Sequence, residues 1–458
     1  MEHSEDIRKR EDRFRLMTET PVPRLVMRMA VPTVISMSVS AIYNFADSFF
    51  VGHISTEATA GVGIAFAYQC LVQAAGFFFG AGSGNYISRS LGAQDSVGAE
   101  KMASTGFFSA FITGLVLMTL GLLFLTPLSI MLGAVPEVIP ASNAYMKWLL
   151  VSTPFLVSQM TMNNQLRLQG NATLSMIGLI AGAVLNIALD PILIYSCGMG
   201  VAGASLSTAI SQFVSWLILF WMTTRNGIVH ILPRNFTPRL YMYREIAAGG
   251  FPSLMRQSLG CISTICLNWA VAYYAVPGQE ASTIAAFSVV SRVMMCAMCV
   301  ILGIGQGFQP VCGFNWGAGL RRRVRSAYLF TMSLSTALIL VMSLLGLAFA
   351  PQIIAFFRSE DPQLIDIGTV VLRWQCLMFP LVGVTTPTNM LFQNIRMTAK
   401  ATVLAMSRQG IFFFPLLILL PRLFGLPGLQ AVMAFSDLCT FFLALPFCIS
   451  ILRELDAE

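Results

Sequence analysis

The chain has 458 residues, 56% of them hydrophobic and 11% charged, with a mean hydropathy of +0.73. That balance excludes a soluble globular domain, and apolar runs of bilayer-crossing length use nearly the whole chain, leaving no soluble catalytic domain. The net charge of +7 sits beside those runs, where basic residues meet anionic headgroups, and says nothing of nucleic acid.

In chain order, residues 1–24 hold twelve charged side chains and no apolar stretch. A cleavable secretory signal is excluded there, and a cytoplasmic tail is predicted. Apolar spans follow at 29–52, 57–87, 102–126, 141–166, 172–196 and 201–224, then at 246–275, 282–314, 327–350, 368–394, 401–420 and 428–452. Continuous runs predict helices and exclude the short alternating strands of a membrane barrel. The expected fold is all-α, a polytopic membrane protein of twelve transmembrane helices in two parallel six-helix repeats. With the N-terminus inside, 21 of the 28 basic residues fall in inner loops and tails, so both termini are expected in the cytoplasm. Arg358 and Arg422 occupy outer loops, and Lys147 lies near an outer end. The expected units are the tail 1–24, a first lobe 25–225, a basic, Pro-punctuated linker 226–244 and a second lobe 245–454.

The repetition is visible in residues. Gly80-Ala81-Gly82-Ser83-Gly84 recurs in the second half as Gly303-Ile304-Gly305-Gln306-Gly307, and Pro32, Trp148 and Pro154 recur as Pro252, Trp374 and Pro380. No strand precedes the glycines and no Gly-Lys-Ser/Thr follows, so they predict close helix packing rather than a phosphate loop. All ten cysteines lie in or beside apolar spans. Cys296 and Cys299 are one turn apart, but no His or further thiol is near, so they read as buried small hydrophobes and disulfides are not implied.

The candidate site is acidic and confined to the first half. Ser36, Ser40, Asn44 and Asp47 step by four, four and three along one face of the first span. Gly178, Gly182, Asn186 and Asp190 step by four along the fifth. The glycines admit a neighbouring helix, and Pro191 removes an amide proton, freeing a carbonyl one turn back. Both acids lie about 28 Å from the inner boundary, and Thr208 descends about 12 Å from the outer one, so two carboxylates, an amide and a hydroxyl can converge. An acid in a spanning helix costs about 2.5–3.5 kcal/mol to insert, and two such acids cannot both hold full charge cheaply in a low dielectric. A proton carrier needs that property; the same oxygens could ligate Na⁺, and a structural hydrogen-bond knot is the plainer alternative. In the second half Arg256, Arg292, Arg373 and Arg408 lie in or near spans and Asp437 is the one deep acid. Asp437 is expected to pair with Arg408, with a second ion site as the alternative.

Tyr43-Asn44-Phe45-Ala46-Asp47-Ser48-Phe49-Phe50-Val51-Gly52 resembles the opening motif of the multidrug and toxic compound extrusion (MATE) family. Ser90-Leu91-Gly92-Ala93, the stretch Asn163 to Asn171, Leu185-Asn186-Ile187-Ala188-Leu189-Asp190-Pro191 and Asn315-Trp316-Gly317-Ala318 are similar to further family motifs, so the likeness spans the chain past residue 24. Within the family the chain resembles the DinF-type, MepA-like branch. The resemblance implies two six-helix lobes forming a V and export of amphipathic, often cationic organic compounds driven by inward H⁺ or Na⁺. It implies an ion site at Asp47, Asn186, Asp190 and Thr208, and a cavity lined by Tyr43, Tyr145 and Asn163, which the stripe residues Ser40 and Asn44 are expected to share. Asp437, Arg408 and Arg292 would be structural or a second site. The expected partners are drug-like molecules and the lipid bilayer, without nucleic acid or a cofactor beyond the coupling ion. The expected setting is a monomer in a prokaryotic cytoplasmic membrane. A lipid-linked oligosaccharide flippase of the same superfamily is the rival. An intramembrane enzyme lacks catalytic material, because His3, His53 and His230 lie in the tail or near loops.

Overall fold

The computed structural model describes residues 2–52, 54, 56–134, 136–276, 279–357 and 361–457, and no strand occurs among them. Arg358, His53 and the side chains of His3 and Asn44 lie outside the described residues. The first half comprises α1 (Glu2–Glu19), α2 (Val22–Gly52), α3 (Thr56–Gly92), α4 (Ser96–Leu123), the short α5 (Leu125–Met131), α6 (Ile139–Leu168), α7 (Ala172–Pro191) and α8 (Gly200–Asn226). The second comprises α9 (Leu240–Tyr274), α10 (Glu280–Gly317), α11 (Arg321–Phe357), α12 (Pro362–Met378), α13 (Val382–Asn394), α14 (Thr398–Met406), α15 (Phe413–Phe424) and α16 (Leu426–Ala457). A π turn, Ile192–Ser196, continues α7, and another, Ser407–Ile411, joins α14 to α15. Helices α12 and α13 meet through a 3₁₀ turn, so each half has six long helical segments besides α1 and α5.

Ten of these helical segments are long and apolar enough to cross a bilayer. The remaining two long helices, α6 and α9, have 30 and 35 residues and fall short only in apolarity. In α6 the polar residues are not offered to lipid: 20 of its residues, including Gln159, Asn163, Asn164, Gln165 and Arg167, are buried. A spanning helix tolerates such groups where protein surrounds them.

Contacts fix the register of the repeat. A side chain at Gly80 would strike Asn164 of α6, and one at Gly305 would strike Met390 of α13. At Gly82 it would strike the backbone of Ile246 across the halves, and at Gly307 the backbone of Ala30. Gly80 therefore corresponds to Gly305, and Gly82 to Gly307. Pairing Gly80 with Gly303, as the two triplets suggest by sequence, is wrong by two residues, which in a helix is about half a turn. The corrected register also pairs Gly92 with Gly317, each lying against the other half at Phe314 and Arg89. Hydrogen bonds extend the match to α6 and α13: Asn163 donates to the Ser175 carbonyl (3.0 Å), and Asn389 to the Ala401 carbonyl (2.6 Å).

One end of the bundle carries both termini. There Arg323 donates to the Thr20 carbonyl at 2.6 Å, and Arg325 pairs with Asp456 at 2.7 Å. Residues 2–19 are not a loose tail. Met17 is fully buried, Arg13 donates to the Gly170 carbonyl and to Asn171, and Asn315 donates to the Met17 carbonyl. The segment folds because Leu16 and Met17 join the core cluster while Arg10 and Arg13 find polar partners. Buried Glu245 of α9 ties the halves together at this end, pairing with Arg89 of α3 (3.3 Å) and with Arg396 (2.5 Å).

Two cysteine expectations change. Cys70 of α3 and Cys261 of α9 are disulfide-bonded. Separated by 191 residues, they meet only because α3 and α9 pack side by side, which spacing cannot reveal. Cys296 is exposed rather than buried, on an outward face of α10.

Candidate functional site

The small residues of α7 bring α8 against it. A Cβ at Gly178 would meet the Leu219 side chain, and one at Gly182 would meet Ser215. With the helices this close, Asn186 donates to Ser207 (3.2 Å) and Thr208 (3.3 Å), and Ser207 donates to the Asn186 carbonyl (3.1 Å). Helix α7 continues through Pro191 into the π turn, and Asp190 is fully buried beside Ser207.

Asp47 approaches from α2. It is half-buried, its Oδ2 accepts from the Tyr145 hydroxyl at 3.4 Å, and it lies within electrostatic reach of Asp190. Asp47 Oδ1, both carboxylate oxygens of Asp190 and the Asn186 Oδ1 are buried without a hydrogen-bond partner among the described residues. Four acceptor oxygens on three side chains thus share a region with fewer donors than they need. Leaving such groups unsatisfied is costly. The donor set suits a small cation or a proton, since carboxylate and amide oxygens are hard ligands.

Beside this cluster is a cavity of about 280 Å³. Ser40, Tyr43, Asn163, Asn186 and Thr208 line it, whereas Asp47, Asp190 and Tyr145 do not. Tyr145 is buried, its hydroxyl turned to Asp47, and so belongs to the acid cluster rather than to the cavity wall. Asp47 is one turn beyond Tyr43, and Asp190 one turn beyond Asn186, so both acids stand behind the wall. Sequence reasoning missed most of the lining. Gln69 and Gln73 come from α3, Gln159 and Asn164 from α6, Ser211, Gln212 and Ser215 from α8, and Gln257 and Gln306 from the second half. The signal was present as four-residue spacings, Gln69/Gln73 and Ser207/Ser211/Ser215. Arg256 is the one charged residue among those lining the cavity.

In the second half Arg408, in the π turn, meets Asp437 of α16 through two contacts, Nε to Oδ1 at 2.5 Å and Nη2 to Oδ2 at 3.4 Å. Ser436 also donates to the Arg408 carbonyl. Arg292 stands apart from this pair, its guanidinium 5.9 Å from the Phe45 ring of α2.

The fold and the buried polar site together are those of a polytopic membrane transporter. The chain belongs to the MatE family, whose model matches residues 32–192 and 252–419. It is 26% identical to the multidrug export protein MepA of Staphylococcus haemolyticus (strain JCSC1435) over 442 residues, 96% of each chain. It is also 26% identical to MepA of Staphylococcus aureus (strain NCTC 8325 / PS 47), over 97% of each. A crystal structure of MATE in complex with MaL6 superposes with a TM-score of 0.90 at 26% identity, covering 97% of this chain and 99% of the other. An outward-facing multidrug resistance MATE family transporter of the MOP superfamily gives 0.90 at 25% identity, covering 97% and 98%.

Proposed function

We propose that the protein is a secondary multidrug efflux antiporter of a prokaryotic cytoplasmic membrane. It exports amphipathic organic compounds in exchange for H⁺ or Na⁺ by alternating access. In this reading residues 25–225 and 245–454 are two lobes joined by the linker 226–244, and the chain works as a monomer with both termini in the cytoplasm. It needs no cofactor beyond the coupling ion and carries out no catalysis.

One observation carries the reading: the partnerless oxygens of Asp47, Asp190 and Asn186 stand directly behind the wall of the cavity. A proton or Na⁺ bound there neutralises a costly cluster. Because Tyr43, Asn186 and Thr208 belong both to the cluster's surroundings and to the cavity, that event reshapes the drug site without the drug touching either acid. Coupling then runs through the wall rather than through competition for one charge. For a substrate of no net charge, a unit charge crossing 100 mV supplies about 2.3 kcal/mol, so one ion per cycle sustains a drug gradient of roughly fifty-fold; a monocationic substrate is driven by the ion's concentration gradient alone. The Arg89–Glu245–Arg396 network closes the cytoplasmic side in this state.

Vesicles loaded with purified protein and a fluorescent organic dye test the reading. Dye efflux should acidify, or load with Na⁺, the side opposite its release, and Asp47→Asn should reduce that coupled flux to the leak. Retained coupled flux in Asp47→Asn would sink the mechanism. A flippase reading draws support from Arg256, but a cavity of about 280 Å³ suits a drug-sized body better than a lipid-linked oligosaccharide.

A further inference from the structure

The cavity is bipolar, and its poles lie on different helices. On α6, α7 and α8 the partnerless acceptors are Gln159 Oε1, Asn186 Oδ1 and Gln212 Oε1, with the two acids behind them. On α9 the cavity meets the Arg256 guanidinium. No carboxylate pairs with Arg256 among the described residues, unlike Arg89, Arg396 and Arg408, each of which has one.

A second cation reinforces that pole. Arg167 is buried and lies within electrostatic reach of Arg256. It donates to the Gln306 carbonyl (2.7 Å), to Gln309 Oε1 (2.9 Å) and to Asn164 Oδ1, all neutral acceptors. Asn164 and Gln306 are themselves on the cavity wall. Two arginines therefore serve one region, one on the cavity wall and one behind its amide lining, with no carboxylate paired to either among the described residues. Like charges in a low dielectric repel strongly, and an arginine presents a planar fork matched to a carboxylate.

The two poles lie at similar depth on opposite sides of the cavity. Gln257 donates to Gln73, one turn from the level at which Gly76 packs on Met160. Gln159 donates to Ser215, which packs on Gly182 one turn before Asn186. A bound molecule would thus meet positive charge on the α9 side and hydrogen-bond acceptors on the side of α6, α7 and α8.

We infer that Arg256 is a carboxylate-recognition residue, and that the cavity selects aromatic or amphipathic compounds carrying one carboxylate and a donor-rich or cationic group, rather than simple lipophilic cations. This rests on the efflux reading and names its substrate class. The carboxylate takes the fork of Arg256 in the field of Arg167. The donor end reaches Asn186, Gln159 and Gln212, and Met37, Phe77, Leu156, Met160 and Leu302 enclose the apolar body.

The test uses one rhodamine chromophore in two forms, the free carboxylate and its ethyl ester, binding to the purified full-length protein in lipid nanodiscs. Wild type should bind the carboxylate at least tenfold tighter than the ester. Arg256→Gln should reduce that ratio at least tenfold, and Arg256→Lys, which keeps the charge but loses the fork, should give an intermediate ratio. A wild-type protein that prefers the ester, or an unchanged ratio in Arg256→Gln, would overturn the inference while leaving efflux intact. The wild-type ratio decides even if a variant fails to fold. A wild-type protein that binds neither dye defeats the efflux reading itself, and this inference with it. Displacement of the carboxylate dye by short-chain phosphatidylglycerol, but not by phosphatidylcholine, would assign the arginine to a lipid headgroup and also overturn it.

Discussion

The two halves share a backbone and treat charge in opposite ways. Arg408 corresponds to Gly182 in the register that matches Trp148 to Trp374 and Asn163 to Asn389, and Asp437 to Gln212 in the register that matches Gly200 and Gly203 to Gly425 and Gly428. In the first half a glycine and a neutral amide at those places border the cavity; in the second an arginine and an aspartate fill them with a two-contact ion pair. The acids run the other way: Asp190 corresponds to Leu417, in the register set by Leu193 under Gly203 and Leu420 under Gly428, and Asp47 to Leu267 by the shared proline or to Ser263 by the contacts of Gly82 and Gly307. One copy keeps unpaired acids beside open space. The other pairs its deep acid where that space would be. An unpaired carboxylate responds to a proton or cation, whereas a buried pair is locked by the cost of separating it. Duplication supplied two bundles, and charged rather than neutral side chains at two positions closed one of them.

The sharpest way to break this comparison is to neutralise each kind of acid. Asp47→Asn or Asp190→Asn should lower drug-coupled ion flux in vesicles at least a hundredfold, to the leak. The double change Arg408→Gln with Asp437→Asn should keep flux within a few-fold of wild type. Loss of flux in that double variant, with the protein folded, would make the second half a working site. Removing Asp437 alone is different in kind, since it strands the mostly buried Arg408. Thermal unfolding of Asp437→Asn should report a loss of about 3–5 kcal/mol, with Arg408→Gln added restoring most of it.

How much of this was readable from sequence follows from range. The acids, the polar stripes of α2 and α7 and the helical spans were legible because they rest on residues three, four or about twenty apart. The existence of the repeat was legible too, but not its register. A Gly-x-Gly-x-Gly pattern matches itself when slid by two, and only the partners of Gly80 and Gly305 choose between the alternatives. The cavity stayed hidden because its amides come from six helices, and Arg256 looked like one of several in-span arginines until packing left it without an anion. The Cys70–Cys261 bond and the folding of α1 onto the bundle likewise depend on contacts between distant segments.

Transport that parts the halves along α3 and α9 must contend with that disulfide. Turnover should rise about tenfold on reduction with dithiothreitol, and Cys70→Ser should abolish the response. Equal rates with and without reductant would mean that α3 and α9 stay together through the cycle. A milder test targets the small residues of the first half. Ser211→Leu adds bulk to the cavity wall beside Gly182, and should weaken dye binding about fivefold to tenfold, as expected for filling part of a closely packed site. If affinity holds, the cavity is not where the compound sits.

The smallest expected effect concerns the seam at the terminal end, where the halves hold each other rather than differ. Glu245 there faces Arg89 of the first half and Arg396 of its own. Replacing it with Gln keeps the shape but leaves Arg89, only 16% exposed, without its counter-charge. The cost is incurred in the sealed arrangement and relieved when the seam opens and water reaches the guanidinium. A penalty of about 1 kcal/mol on one side of a two-state equilibrium changes its ratio about fivefold. Labelling a cysteine placed at Gly249, which faces Gly82 across the seam, should therefore proceed about fivefold faster in Glu245→Gln than in the parent. The site is packed, so the cysteine serves as a reporter only where the doubly substituted protein still binds dye. Unchanged labelling would mean that glycine packing at Gly82 and Gly307, rather than the ion network, sets the closed state. The seam would then owe its strength to the feature the halves share, and the charges would matter only where the halves diverge.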